Sequence, residues 1–207
     1  LLDAENEGLH ARATNYVSLE SVIDGIVTLK DELTGATIKI QPKLIINATG
    51  PWIDKTNHTL GFQTQYIGPT KGSHLVLDNP ELRDAIGDHE FFFENKDGRI
   101  VLILPLFDKV MIGTSDLPIG NPDSARCTEE EVDYFIEMVG RVFPEIKVNH
   151  DQIIFRISGV RPLAYTRSKN AGQITRDHHI QEDRLGNLPV YSLVGGKWTS
   201  FRAFSEQ

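Results

Sequence analysis

Near each end of the chain an apolar segment runs into a glycine turn, and this pair of features constrains the fold most. The first, KLIINATGPWI, is a continuous apolar run ending at Ala48-Thr49-Gly50, the pattern of a strand buried on both faces. The second, PVYSLVGGKWTSFRAF, reads as strand, glycine turn and helix. Between them lie short alternating segments of the kind that form antiparallel strands. Two strand-to-helix units flanking a mainly antiparallel middle imply one domain interrupted by another, an α+β/α/β arrangement.

The intervening punctuation supports this. Asn15 to Lys30 alternates around a turn at Asp24-Gly25, and Ala36 to Ile40 continues after a turn at Thr34-Gly35, giving a small meander. The stretch from Thr56 to about Pro80 is loop-rich, with a short strand at Ser73 to Leu77. FFFENKDGRIVLILPLFDKVMIGTSD reads as three strands, with turns at Asn95 to Gly98 and near Asp108-Lys109. TEEEVDYFIEMVGRVFP is the clearest helix. Thr128 and Glu131 form a capping box, Glu129 to Glu131 suit the helix start, and Val132, Phe135, Ile136, Val139 and Phe143 share a face. QIIFRISGVRPLAY is a strand bent at Gly159, GQITRDHHIQED is another, and Leu185-Gly186-Asn187 turns the chain back. Leu1 to Glu7 resembles a helix tail capped by Gly8, and RAFSEQ stops within a helix, so the chain is expected to be a piece of a longer protein.

Composition narrows the function classes. A formal charge of −8 disfavours a nucleic-acid role, which needs a net basic face. One cysteine, Cys127, allows no intramolecular disulfide, and no signal-peptide pattern is read at the start, so a cytoplasmic protein is expected. The longest apolar run, Ile100 to Phe107, is far short of a membrane span. Peripheral contact with the inner face of the cell membrane stays open.

Gly195-Gly196-Lys197 invites a phosphate-loop reading, which fails twice: Tyr191 stands where the first glycine is needed and Trp198 where Ser or Thr is needed. Two readings remain: a tight strand-helix turn, or helix-start N–H groups aimed at an anion. Gly50 likewise either ends a strand or lets backbone lie against a nucleotide. Arg156, Arg161 and Arg176 sit in or beside apolar strand patterns, where a lone charge is expensive. They form salt bridges or converge on a phosphate or carboxylate. His74 starts a strand. His178 and His179 are adjacent and face opposite ways, and no H-E-x-x-H or C-x-x-C spacing occurs, so no metal is expected.

Taken together and in order, INATGPW, KGSH, MIGTSD, SGVRPL, ITRD and GGKWTSFR resemble the FAD-dependent glycerol-3-phosphate dehydrogenases. The resemblance implies an FAD-binding domain of the glutathione-reductase/amino-acid-oxidase type with an inserted antiparallel substrate domain. Residues 1–54 and 189–207 would be parts of the first, and 55–188 the second. The family's G-x-G-x-x-G segment, its N-terminal substrate residues and its C-terminal domain are missing from this sequence, so the piece alone is expected to be inactive.

What the resemblance implies for the site is specific. Hydride would pass from C2 of glycerol 3-phosphate to FAD, giving dihydroxyacetone phosphate, with quinone or oxygen as final acceptor. His74 would be the base and Arg161 would hold the C2 oxygen. Arg176 and Lys197 would bind phosphate or neighbouring oxygens. Ala48, Thr49 and Gly50 would pack on FAD through backbone. Gly195, Gly196, Lys197, Trp198 and Thr199 would face it, with N–H groups of Gly196 to Thr199 toward the flavin. A homodimer stays open. Two other readings are carried: another FAD-dependent amine or hydroxy-acid oxidase of this fold, and a non-catalytic module derived from one.

Overall fold

The computed structural model describes residues 6–8, 10–166 and 177–207. These divide into two compact units, residues 1–65 with 180–193, and residues 66–179 with 194–207. Among the described residues no helix is long and apolar enough to cross a membrane.

The smaller unit opens with the meander. Strands β1 (Val17–Ile23), β2 (Ile26–Asp31) and β3 (Thr37–Ile40) pair antiparallel in that order. Asp24 and Gly25 both have positive φ, +50° and +76°, the conformation that matches a two-residue hairpin to strand twist. The next turn is fixed by Asp31, whose Oδ1 accepts the N–H groups of Leu33 and Thr34. A second sheet has the order β11 (His178–Leu185), β12 (Leu188–Gly195), β4 (Ile45–Asn47), with β12 and β4 parallel. A 3₁₀ turn (Gly50–Trp52) and then helix α1 (Ile53–Thr59) follow β4, where a loop-rich segment was expected from Thr56.

Burial of β4 on both faces is not found. Asn47 is buried, but Ile46 is 59% exposed and Leu44 is exposed too. Successive side chains face opposite sides of a strand: the side carrying Asn47 is packed and the side carrying Ile46 is not.

The larger unit is an antiparallel sheet on two helices. Its strand order is β10 (Ile153–Arg161), β5 (Thr70–Leu77), β8 (Lys109–Gly113), β7 (Ile100–Leu106), β6 (Phe91–Glu94), with the short β9 (Leu117–Pro118) also on β5. Helix α2 (Pro80–Ile86) was not anticipated; seven residues are too few for a readable apolar period, although Asn79 caps it by accepting Leu82 N–H. Helix α3 (Glu129–Val142) carries the expected capping box with both reciprocal bonds. Leu75, Leu77, Ile103 and Ile112 of the sheet pack against Leu82 of α2 and Phe135 of α3, all essentially inaccessible. Burying such side chains contributes roughly 1.5–3 kcal/mol each. The expected bend at Gly159 is absent: β10 stays paired from Phe155 to Arg161, and its irregularity lies between Ile153 and Phe155. After β12 the chain makes a 3₁₀ turn (Trp198–Ser200) and a short helix, α4 (Phe201–Ser205).

Candidate active site

Side chains alternate across a sheet, so β5 divides its residues between two environments. Lys71, Ser73, Leu75 and Leu77 point to the helix layer. Thr70, Gly72, His74 and Val76 point to the opposite face, where β10 sets Arg161, Gly159, Ile157 and Phe155 beside them in register. Phe155 is 61% exposed and, two strands beyond β8, Phe92 is 67% exposed. This face is therefore partly open: Thr70, Gly72 and Val76 are buried on it, His74 is half-buried, and His74 and Arg161 both stand on it.

Two glycines make room for them. Gly113 of β8 lies directly opposite His74, and a Cβ there would come within 2.3 Å of the imidazole Cδ2. The guanidinium of Arg161 lies across Gly72, where a Cβ would fall 2.3 Å from Nη2 and 2.4 Å from Nη1. Both approaches are far inside normal contact, so only glycine permits either side chain its position.

Arg161 is held by the segment that follows β8. Its Nη2 donates to Thr114 Oγ1 at 3.0 Å, and its Nη1 donates to Ser115 O and Asp116 Oδ1, each at 3.3 Å. The arginine and Asp116 side chains are 27% and 15% exposed, so the charge is shielded and oriented yet retains an accessible edge. The imidazole of His74 is pushed below the ordinary value of 6.5, first by burial and then by the positive charge of Arg161. It is thus neutral near pH 7 and able to accept a proton.

Of the other arginines expected in this group, Arg156 forms a bidentate pair with Glu129, at 2.5 and 3.3 Å, and is a surface salt bridge. Arg176, and the side chain of Trp198, lie outside the described residues.

At the end of β12, Gly195 has φ +77°, and a Cβ there would strike Asp177 O at 2.4 Å. The turn closes on itself: Gly196 N–H donates to Asp177 O, and Lys197 N–H to Ser200 Oγ. In this conformation both N–H groups are used within the turn itself. The Lys197 side chain and Thr199 are exposed. His178 lies against Gly196 and stacks on Phe204 with ring centroids 4.4 Å apart.

In the smaller unit, the turn after β4 is built around Asn47. Its Oδ1 accepts Thr49 N–H and Thr49 Oγ1–H, and its Nδ2 donates to Ile53 O and Asn57 Oδ1. Every donor and acceptor site of the amide is used. Asn57 in turn donates to Ser192 Oγ on β12. The network presents Ala48 and Thr49 at the surface and Gly50 with φ +61° and open space where a Cβ would stand. Exposed backbone beyond the C-terminal end of a parallel strand fits a nucleotide cofactor lying against it. Among the described residues no cluster of His, Cys, Asp and Glu is arranged to hold a metal.

Thr114, Asp116, Gly72, Gly113 and Asn47 were not singled out as site residues by sequence reasoning. MIGTSD and KGSH contained the first four, but their roles depend on which strands pair.

The sequence pattern of one family, FAD dependent oxidoreductase, matches residues 3–195. The chain is 34% identical, over all of its length and 40% of the other's, to a glycerol-3-phosphate dehydrogenase of Synechocystis sp. (strain ATCC 27184 / PCC 6803 / Kazusa). It is 32% identical to D-erythritol 1-phosphate dehydrogenase of Brucella abortus (strain 2308), over 88% of this chain and 36% of that one. The crystal structure of glycerol-3-phosphate dehydrogenase from Bacillus halodurans complexed with FAD superposes with TM-score 0.76 at 29% identity, covering 94% of this chain and 37% of that one. The chain thus spans about two fifths of the length of the curated relatives it matches.

Proposed function

The chain belongs to the FAD-dependent oxidoreductase family, and we propose that its whole protein oxidises glycerol 3-phosphate to dihydroxyacetone phosphate. The observation that carries this reading is the partly open sheet face on which neutral His74 and clamped Arg161 stand over two clearance glycines. That the dehydrogenases of Synechocystis and Bacillus halodurans bear the same substrate in their names supports it.

FAD, when bound, supplies the acceptor for the C2 hydride. The chain's own residues then have defined work. His74 takes the C2 hydroxyl proton, because loss of hydride from a carbinol requires that proton to leave. Arg161 holds the C2 oxygen and stabilises its developing negative charge; fixed by Thr114, Ser115 and Asp116, it needs no reorganisation as the charge forms. Lys197 and Arg176 are assigned to the phosphate, a dianion that two cations suit. Ala48, Thr49 and Gly50 are assigned to the cofactor through backbone. Electrons would leave the protein to quinone or oxygen.

A second substrate of the same class has a specific observation behind it, the likeness to a D-erythritol 1-phosphate dehydrogenase. One experiment covers both. The full-length protein loaded with FAD is mixed, without oxygen, with glycerol 3-phosphate, D-erythritol 1-phosphate, glycerol or an amino acid. Glycerol 3-phosphate should bleach the flavin absorption fastest. Faster bleaching by the erythritol phosphate would move the assignment to that substrate, and bleaching only by the amino acid would overturn the phosphate reading.

A further inference from the structure

Behind the partly open face, on the helix side of the same sheet, lies a buried ionic cluster that the proposed mechanism does not use. Glu131, Lys71, Ser115 and Ser73 are 3%, 8%, 0% and 0% exposed. Glu131 Oε2 accepts from Lys71 Nζ at 2.5 Å and from Thr128 N–H at 2.9 Å, and its Oε1 accepts from Ser115 Oγ at 2.5 Å. Lys71 also donates to Arg126 O, and Ser115 Oγ accepts Ser73 N–H at 2.9 Å. Burial alone would push the Glu131 carboxyl up; the bonds from Lys71, Ser115 and Thr128 outweigh it and hold the group ionised.

Apart from the Thr128 N–H bond, a helix cap requires none of this. Thr128 and Glu131 complete the capping box by themselves, and a capping glutamate ordinarily sits at the surface. A buried ion pair is weak evidence for stability, since desolvation can offset its attraction; its best-attested use is to specify geometry. The geometry specified here is that of residues 114–116. These three consecutive residues each supply Arg161 with a hydrogen-bond acceptor: Thr114 Oγ1, Ser115 O and Asp116 Oδ1. Ser115 is the middle one. Its carbonyl faces Arg161 on one side of the sheet, and its hydroxyl is anchored by Glu131 on the other.

We propose that Glu131 is a positioning residue for Arg161, acting through Ser115 to fix the 114–116 segment that aims the guanidinium across Gly72. Lys71 keeps the carboxylate ionised and in place. The inference rests on the proposed role of Arg161 only for its catalytic consequence; the positional claim stands on the hydrogen bonds alone.

The test uses the FAD-loaded full-length protein and two readouts. The first is the Nε–Hε nitrogen-15 NMR signal of Arg161, assigned by its loss in Arg161→Lys. The second is the Kd for glycerol 3-phosphate. Ser115→Ala cuts the link while leaving the Lys71–Glu131 pair and the cap intact. It should shift or broaden the Arg161 signal and weaken binding by on the order of ten- to a hundredfold, the loss of one hydrogen bond to a charged group. Glu131→Ala should do the same. Glu131→Gln keeps an acceptor for Ser115 and should restore the signal toward its original place, a recovery that a merely stabilising role would not give. An unmoved Arg161 signal and unchanged Kd in Ser115→Ala, with only a lower melting temperature, would overturn the proposal. If the unaltered protein fails to bind glycerol 3-phosphate, the substrate assignment falls, and the Arg161 signal still decides the positioning claim.

Discussion

Replacing Gly72 by Ala isolates the position of Arg161 from the stability of the sheet. The added Cβ would lie 2.3 Å from Nη2, 2.4 Å from Nη1 and 2.6 Å from Cζ. Non-bonded carbon contacts relax at about 3.5–4.0 Å, so the guanidinium must withdraw by roughly 1.2 Å or more. Its bonds to Thr114, Ser115 and Asp116 already measure 3.0, 3.3 and 3.3 Å, and a shift of that size breaks at least the two longer ones. The clash is with the mobile end of a long side chain, not with backbone, so the sheet itself need not move. Losing these partly shielded bonds costs about 1–2 kcal/mol, while an alanine suits a strand better than glycine does and offsets part of that. Function should suffer more than stability: kcat/KM for glycerol 3-phosphate is expected to fall by on the order of 10²-fold, with Tm lowered by only a few degrees. Steady-state kinetics of the full-length FAD-loaded protein and a circular-dichroism melt measure the two effects. A Gly72→Ala protein with undiminished kcat/KM would refute the claim that Arg161 must lie across this glycine.

Three other outcomes follow from the same geometry. His74 carries a lowered pKa, so kcat/KM should hold above the ordinary value of 6.5 and fall only as pH drops through the lower folded value; the stability it contributes is lost in the same window, and His74→Asn should abolish this acid limb of the pH profile. Asn47→Ala strands the partners of a fully used buried amide, and should cost about 1–3 kcal/mol and weaken FAD retention, read by melting and by flavin released on gel filtration. Arg156→Ala removes an exposed pair with Glu129 and should leave both kcat and KM unchanged in steady-state assays, because such pairs add little.

Much of this arrangement was legible in the sequence for identifiable reasons. Alternation and turn residues announced the meander and the strands from Phe91 to Gly113, and Thr128 with Glu131 announced the start of α3. Arg161 stood out as a charge beside an apolar strand pattern, whereas His74 was selected through the family resemblance carried by KGSH. What was not legible depends on pairing. Gly72 and Gly113 become clearance glycines only when β10 and β8 flank β5, and Thr114 and Asp116 become arginine partners only through the same register. Glu131 was accounted for as a helix start, which is true of its cap and silent about Lys71, sixty residues earlier in the chain. Burial of β4 was overestimated because an apolar run does not reveal whether both faces of its sheet are covered.

The most direct measurement is the structure of the FAD-loaded full-length protein with glycerol 3-phosphate bound. The C2 hydroxyl is expected about 2.6–3.2 Å from a ring nitrogen of His74, its oxygen on the accessible edge of Arg161, over the face that carries Gly72 and Gly113. Substrate seated away from that face, with His74 and Arg161 untouched, would contradict this placement.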